Sequence, residues 1–150
     1  MTAALWTVFF AGAGKHTIPV TPPAISTTHT DAEKDINIKD VIKLLEDIKK
    51  ANLKKDLSLW EAGYSKSYPA LTKKRKGIQK LWRSFDYTSL EYRIDGVNTN
   101  PAAADALITW DIVLRARKTG KIIRHSEPLF AEFIREGNTW KISSIRKNVR

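Results

Sequence analysis

At Tyr87 the spacing of apolar residues changes from a period near 3.6 to a period of 2, and this switch constrains the fold more than any single motif. Before it, Asn37 can cap a helix with Asp40 three residues on, and Ile38, Val41, Leu45 and Ile48 follow at helical spacing. This predicts a helix over 38–55. Asp56 caps a second helix in which Leu57, Trp60, Tyr64 and Tyr68 fall on one face, ended by Pro69. A third, over 70–84, sets Leu71, Ile78, Leu81 and Trp82 against a basic face of Lys73, Lys74, Lys76, Lys80 and Arg83. After the switch, Leu90, Tyr92 and Ile94 alternate with polar residues, and Gly96 to Pro101 supplies a turn. Alternating runs then extend from Ala104 to Arg117, from Ile122 to Ile134 and from Thr139 to Arg146, separated by Thr119-Gly120 and Glu136-Gly137. The expected fold is α+β: three N-terminal helices packed on a curved, four-stranded antiparallel sheet.

The chain has 150 residues, 42% of them hydrophobic, which suffices for one core without metals or disulfides. It has no cysteine, so a disulfide framework, thiolate zinc and thiol catalysis are excluded. There is no phosphate-binding glycine loop, and neither a metal site nor a cofactor is expected. The net charge of +10 is concentrated in the helical half, so the basic helices are a candidate surface for polyanions. No nucleic-acid recognition motif accompanies it, which argues against sequence-specific binding.

Residues 1–13 read as a truncated signal peptide or hydrophobic leader. Leu5, Trp6, Val8, Phe9 and Phe10 precede Ala11-Gly12-Ala13, a small-residue pattern like a cleavage site, without a basic n-region. The stretch is far too short to span a bilayer. Export to the periplasm or envelope is one reading and a cytoplasmic protein the other. Residues 14–36, rich in Thr and Pro, read as a linker, and 37–150 as the folded domain.

Length, element order and the closing Gly137-Asn138-Thr139-Trp140-Lys141-Ile142 segment resemble the nuclear transport factor 2-like superfamily (SnoaL-like, ketosteroid-isomerase-like) over residues 38–148. Trp60, Tyr64 and Tyr68 followed by Leu81-Trp82 look like the small accessory domains of that superfamily in bacterial envelope proteins. The resemblance implies a cone-shaped ligand cavity between helices and sheet, and homodimers through the outer sheet face. These motifs are architectural and carry over no catalytic position.

Pairing Lys118 with Lys121 across the first hairpin places Trp110, Ile112 and Leu114 opposite Leu129, Glu127 and His125 on the helix-covered face. Pairing Arg135 with Asn138 across the second brings Arg146 opposite Glu127. His125 and Glu127 are then the candidate acid–base residues. Arg146, Tyr64, Tyr68, Trp60 and Trp110 are the candidate ligand-binding residues, and Glu127 with Arg146 also reads as a cross-strand ion pair. Three functions follow: a non-catalytic binding or accessory domain for a small ligand or protein partner, an isomerase, cyclase or dehydratase, or a polyanion-binding surface protein.

Overall fold

A computed structural model describes residues 31–148. The leader and most of the expected linker lie outside the described residues. Helix α1 spans Asp31–Lys54, α2 Leu57–Ala62 and α3 Leu71–Ser84. Strands β1 (Phe85–Thr99), β2 (Ala103–Ala116), β3 (Ile122–Glu136) and β4 (Thr139–Lys147) follow, in spatial order β1-β2-β3-β4 and antiparallel throughout. Three helices followed by a four-stranded meander is the expected α+β plan. The core between the layers is built from Val41, Leu45 and Trp60 on the helical side and Ile112, Leu114 and Phe133 on the sheet, all at most 2% exposed.

Three departures have physical causes. First, α1 begins at Asp31 rather than beside Asn37, so the last residues of the expected linker are helical. Ala32, Glu33 and Lys34 are residue types of good helix propensity.

Second, the stripe from Trp60 to Tyr68 is not one helix. Asp56 does cap α2, its carboxylate accepting from the Leu59 amide at 3.0 Å, but the helix ends at Ala62. The Gly63 carbonyl accepts from the Ile142 amide and the Ser65 amide donates to the Ile142 carbonyl, each at 2.8 Å. The chain therefore leaves the helix to pair with β4, and these backbone groups are satisfied there. Gly63 lets this turn pack closely on α1, since a Cβ at that position would collide with the Ile48 side chain. The aromatic succession survives without the helix: Trp60 and Tyr64 rings are 4.5 Å apart, and Tyr64 and Tyr68 meet edge-to-face at 5.0 Å.

Third, both hairpin registers differ from expectation. The first turn is a four-residue loop, with Gly120 in the left-handed region at φ 71° and its amide bonded to the Ala116 carbonyl at 2.8 Å. Trp110 therefore faces Glu127 and Ile112 faces His125. A slip of two leaves every side chain on its expected face. In the second hairpin Phe133 pairs with Ile142, but a bulge follows, after which Ala131 pairs with Ile145 and Phe130 with Arg146. The bulge reverses the facing of the end of β4. Among the described residues β4 reaches β3 only from Leu129 onward, so Ile122–Glu127 pairs with β2 alone.

Candidate functional site

The interior between α1, α3 and the sheet is nearly filled. The described residues leave a cavity of about 30 Å³, lined by Ile48, Ile78, Ile108, Trp110, Leu129 and Ile142 together with Trp60, Tyr64, Asn52 and Lys74. Three candidate ligand-binding residues thus surround it: Trp60, Tyr64 and Trp110, at 2%, 7% and 6% exposure. Tyr68 is also buried and packs against Tyr64, and Trp110 is supported by Tyr92, ring to ring at 5.0 Å.

Lys74 departs most from the sequence reading. It was expected on the basic, solvated face of α3, yet it is 7% exposed. Its Nζ lies 5.8 Å from the centre of the Tyr64 ring and 5.7 Å from that of Tyr68. The spacing held the signal: position 74 falls in the apolar stripe with Leu71, Ile78 and Leu81, three and four residues apart. Burial strips water from the ammonium and lowers its pKa from 10.5 to about 8. The two rings, whose centres lie 5.0 Å apart and so on the same side of the amine, return part of that cost.

Asn52, 2% exposed, is a second buried polar residue at the cavity. Its Oδ1 accepts from Trp82 Nε1 at 3.3 Å and from the Tyr87 hydroxyl at 3.1 Å, and its Nδ2 donates to the Ile48 carbonyl at 2.9 Å. One amide thereby joins α1, α3 and β1.

A second polar group forms at the end of the sheet beyond β4. His125 and Glu127 share the inward side of β3, His125 Nε2 lying 2.8 Å from Glu127 Oε2. Glu127 Oε1 is 3.1 Å from Lys147 Nζ. The side chains are 23%, 16% and 46% exposed for His125, Glu127 and Lys147. The cross-strand cation expected for Glu127 is therefore Lys147, not Arg146. The bulge turns Arg146 to the other face, where its guanidinium stacks over the Phe130 ring at 4.4 Å. The two adjacent serines, Ser143 and Ser144, were the only hint that β4 would not alternate cleanly to its end. His125 and Glu127 do not line the interior cavity. Within the described residues no group of His, Asp and Glu is arranged to hold a metal ion.

Some of the basic surplus is neutralised by the fold. Lys49 bonds Glu91 at 2.8 Å. The Lys55 ammonium donates to the Trp82 and Phe85 carbonyls and to Asp86, at 2.8, 3.0 and 2.8 Å, clamping the α3–β1 junction. Lys50, Lys54, Lys73, Lys76 and Lys80 are exposed. On the outer sheet face Leu107, Val113, Phe130 and Ile134 are half-buried among charged neighbours, and Ile122 is 46% exposed.

No protein-family model and no curated relative matches the sequence. Solved structures do. A conserved protein from Planctomyces limnophilus superposes with a TM-score of 0.70 at 9% identity, over 75% of this chain and 95% of that one. A nuclear transport factor 2-like superfamily protein from Salmonella enterica gives 0.61 at 10% identity, over 78% and 94%. A hexachlorocyclohexane dehydrochlorinase gives 0.58 at 11% identity, over 80% and 90%. At such identities the likeness is one of architecture, and both sequence pattern and superposition identify that architecture as the nuclear transport factor 2-like α+β fold.

Proposed function

We propose that this is a non-catalytic binding domain of the accessory kind, whose working surface is the outer face of the sheet and whose first partner there is a second copy of the chain. The observation that carries this reading is the interior volume. About 30 Å³ takes a few heavy atoms at most, so recognition of anything larger has to use a surface. The outer face supports it, because Leu107, Val113, Phe130 and Ile134 give it apolar ground between charges that can fix register. Light scattering at tens of micromolar protein should then report a dimer, and Phe130→Arg should shift it to monomer without lowering the melting temperature by more than a few degrees. A wild-type protein that stays monomeric at that concentration would sink the proposal.

A second reading has a specific observation in its favour. His125 and Glu127 in hydrogen-bond contact at the end of the concave face form an acid–base pair, as an isomerase, cyclase or dehydratase needs, and a dehydrochlorinase shares the fold. It requires the helices to part from the sheet enough to admit substrate. Turnover of a dehydration substrate that disappears in both His125→Gln and Glu127→Gln would establish it, and equal turnover in the variants would exclude it.

Polyanion contact through the exposed lysines of α1 and α3 is a weaker use of the same domain, one that salt would weaken. Export through residues 1–13 stays a proposal. Within the described residues no helix is long and apolar enough to cross a membrane.

A further inference from the structure

The outer face of the sheet holds unmatched charge of opposite sign at its two ends. Asp105 of β2 and Glu132 of β3 lie directly opposite each other, on the side away from the core that takes Ala104, Ala106, Ala131 and Phe133. Both are half-buried, and like charges at this cross-strand spacing repel. At the other end of the same two strands Arg115 and Arg124 are exposed on the same face, Arg115 paired with Ile122 and Arg124 with Val113. None of these four residues forms an ion pair among the described residues, and the one side-chain bond to any of them runs from Asn98 to Asp105, at 3.1 Å. Other charges on this face are matched within the chain. Arg93 lies 2.9 Å from Asp95 and 4.0 Å from Asp111, and Arg117 lies 3.1 Å from Asp86.

Extended chain at about 3.3 Å per residue puts roughly 30 Å between Asp105 and Arg115. That is several Debye lengths at physiological salt, so the two ends do not neutralise each other within one protomer. A second copy can bring them together, and the direction of the symmetry axis decides whether it does. Two sheets stacked outer face to outer face by a two-fold have the axis in the plane between them. An axis parallel to the strands lays each end over its own copy, carboxylate over carboxylate and guanidinium over guanidinium. An axis across the strands lays each end over the opposite one, and does so twice per dimer. Resting on the dimer proposed above, we propose that its two-fold axis runs across the strands near Trp110, seating Asp105 and Glu132 of each protomer against Arg115 and Arg124 of the partner subunit. The apolar residues agree, because an axis crossing β2 at Trp110 also sets Leu107 over Val113 of the partner subunit. The acidic pair is then covered by cations, and the parallel-axis alternative is rejected by repulsion at both ends.

Charge reversal on the full-length protein tests this. Asp105→Arg with Glu132→Arg makes both ends basic, and Arg115→Asp with Arg124→Asp makes both acidic. Each variant alone should sediment as a monomer where the wild type is a dimer, its Kd raised by about a hundredfold or more. Mixed in equal amounts, the two should form a heterodimer about as tight as the wild-type dimer, because each end again meets its opposite. Either variant dimerising as tightly as the wild type would overturn the orientation. So would a mixture that stays monomeric while both variants melt within a few degrees of the wild type. Where a reversal lowers the melting temperature further, Asp105→Asn with Glu132→Gln removes the charge and keeps the shape. That variant should dimerise about tenfold more weakly, and an unchanged Kd would again overturn the proposal. A monomeric wild type removes the dimer and this orientation together, whereas a wild-type dimer indifferent to these charges removes the orientation alone.

Discussion

Lys74→Met should make the protein more stable, by about 2 kcal/mol at pH 7, which is a rise in melting temperature of roughly 10 °C. The unfolded chain carries this lysine at its ordinary pKa of 10.5, whereas in the fold burial lowers it to about 8. Between these values the unfolded state binds the extra proton, so wild-type stability climbs as pH rises from 8 toward 10 and the ammonium penalty is relieved. Below pH 8 the full penalty applies, about 3 kcal/mol from the shift. Loss of the contacts that Lys74 makes, those to the two tyrosine rings among them, reduces the gain from methionine by about 1 kcal/mol. Above pH 10 both proteins should weaken. Burial pushes the phenols of Tyr64, Tyr68 and Tyr87 upward, Tyr68 to about 12, so the unfolded state ionises first. Urea unfolding from pH 7 to 11 should give the wild type a maximum near pH 10 and the variant a plateau that falls from there. Parallel curves for the two proteins would show that Lys74 is not held as a desolvated cation.

Asn52→Leu should act in the opposite direction, costing about 3 kcal/mol. Leucine fits the volume, but the Trp82 indole N–H and the Tyr87 hydroxyl each lose the Asn52 oxygen, held at 3.3 and 3.1 Å. The carbonyl of Ile48 loses only a supplementary donor. The cause can be isolated by removing the indole donor as well. Adding Trp82→Phe to Asn52→Leu should cost less than the sum of the single changes by about 1 kcal/mol, read from a double-mutant cycle in urea. Strict additivity would mean that the indole bond contributes nothing.

Why the burial of Lys74 was hidden in the sequence comes down to what periodicity encodes. The stripe at Leu71, Ile78 and Leu81 fixes which side of α3 faces the sheet, and Lys74 lies on that side. The run Lys73-Lys74-Arg75-Lys76 obscures this, because charge is a statement about residue type and burial a statement about direction. The sheet shows the same division. Alternation placed His125, Glu127 and Trp110 on the inner face, and a turn two residues longer than expected changed their cross-strand partners without changing their facing. At Arg146 the alternation failed, since one bulge past Glu132 reverses the remainder of β4 and only the adjacent Ser143 and Ser144 hint at it. The helix expected through Tyr68 failed for a tertiary reason. The backbone of Gly63 and Ser65 finds its hydrogen bonds in Ile142, nearly eighty residues away in sequence.

The stretch Ile122–Glu127, tied to β2 alone among the described residues, sets how this domain can diversify. A segment held by one ladder opens locally at lower free energy than strands held on both sides, and its amides should exchange with solvent ahead of those around Phe133. Replacing His125 or its neighbours therefore perturbs little of the structure that specifies the fold. Descendants of such a chain can rewrite the chemistry of this end of the sheet, residue by residue, while inheriting the Trp60–Phe133 core unchanged.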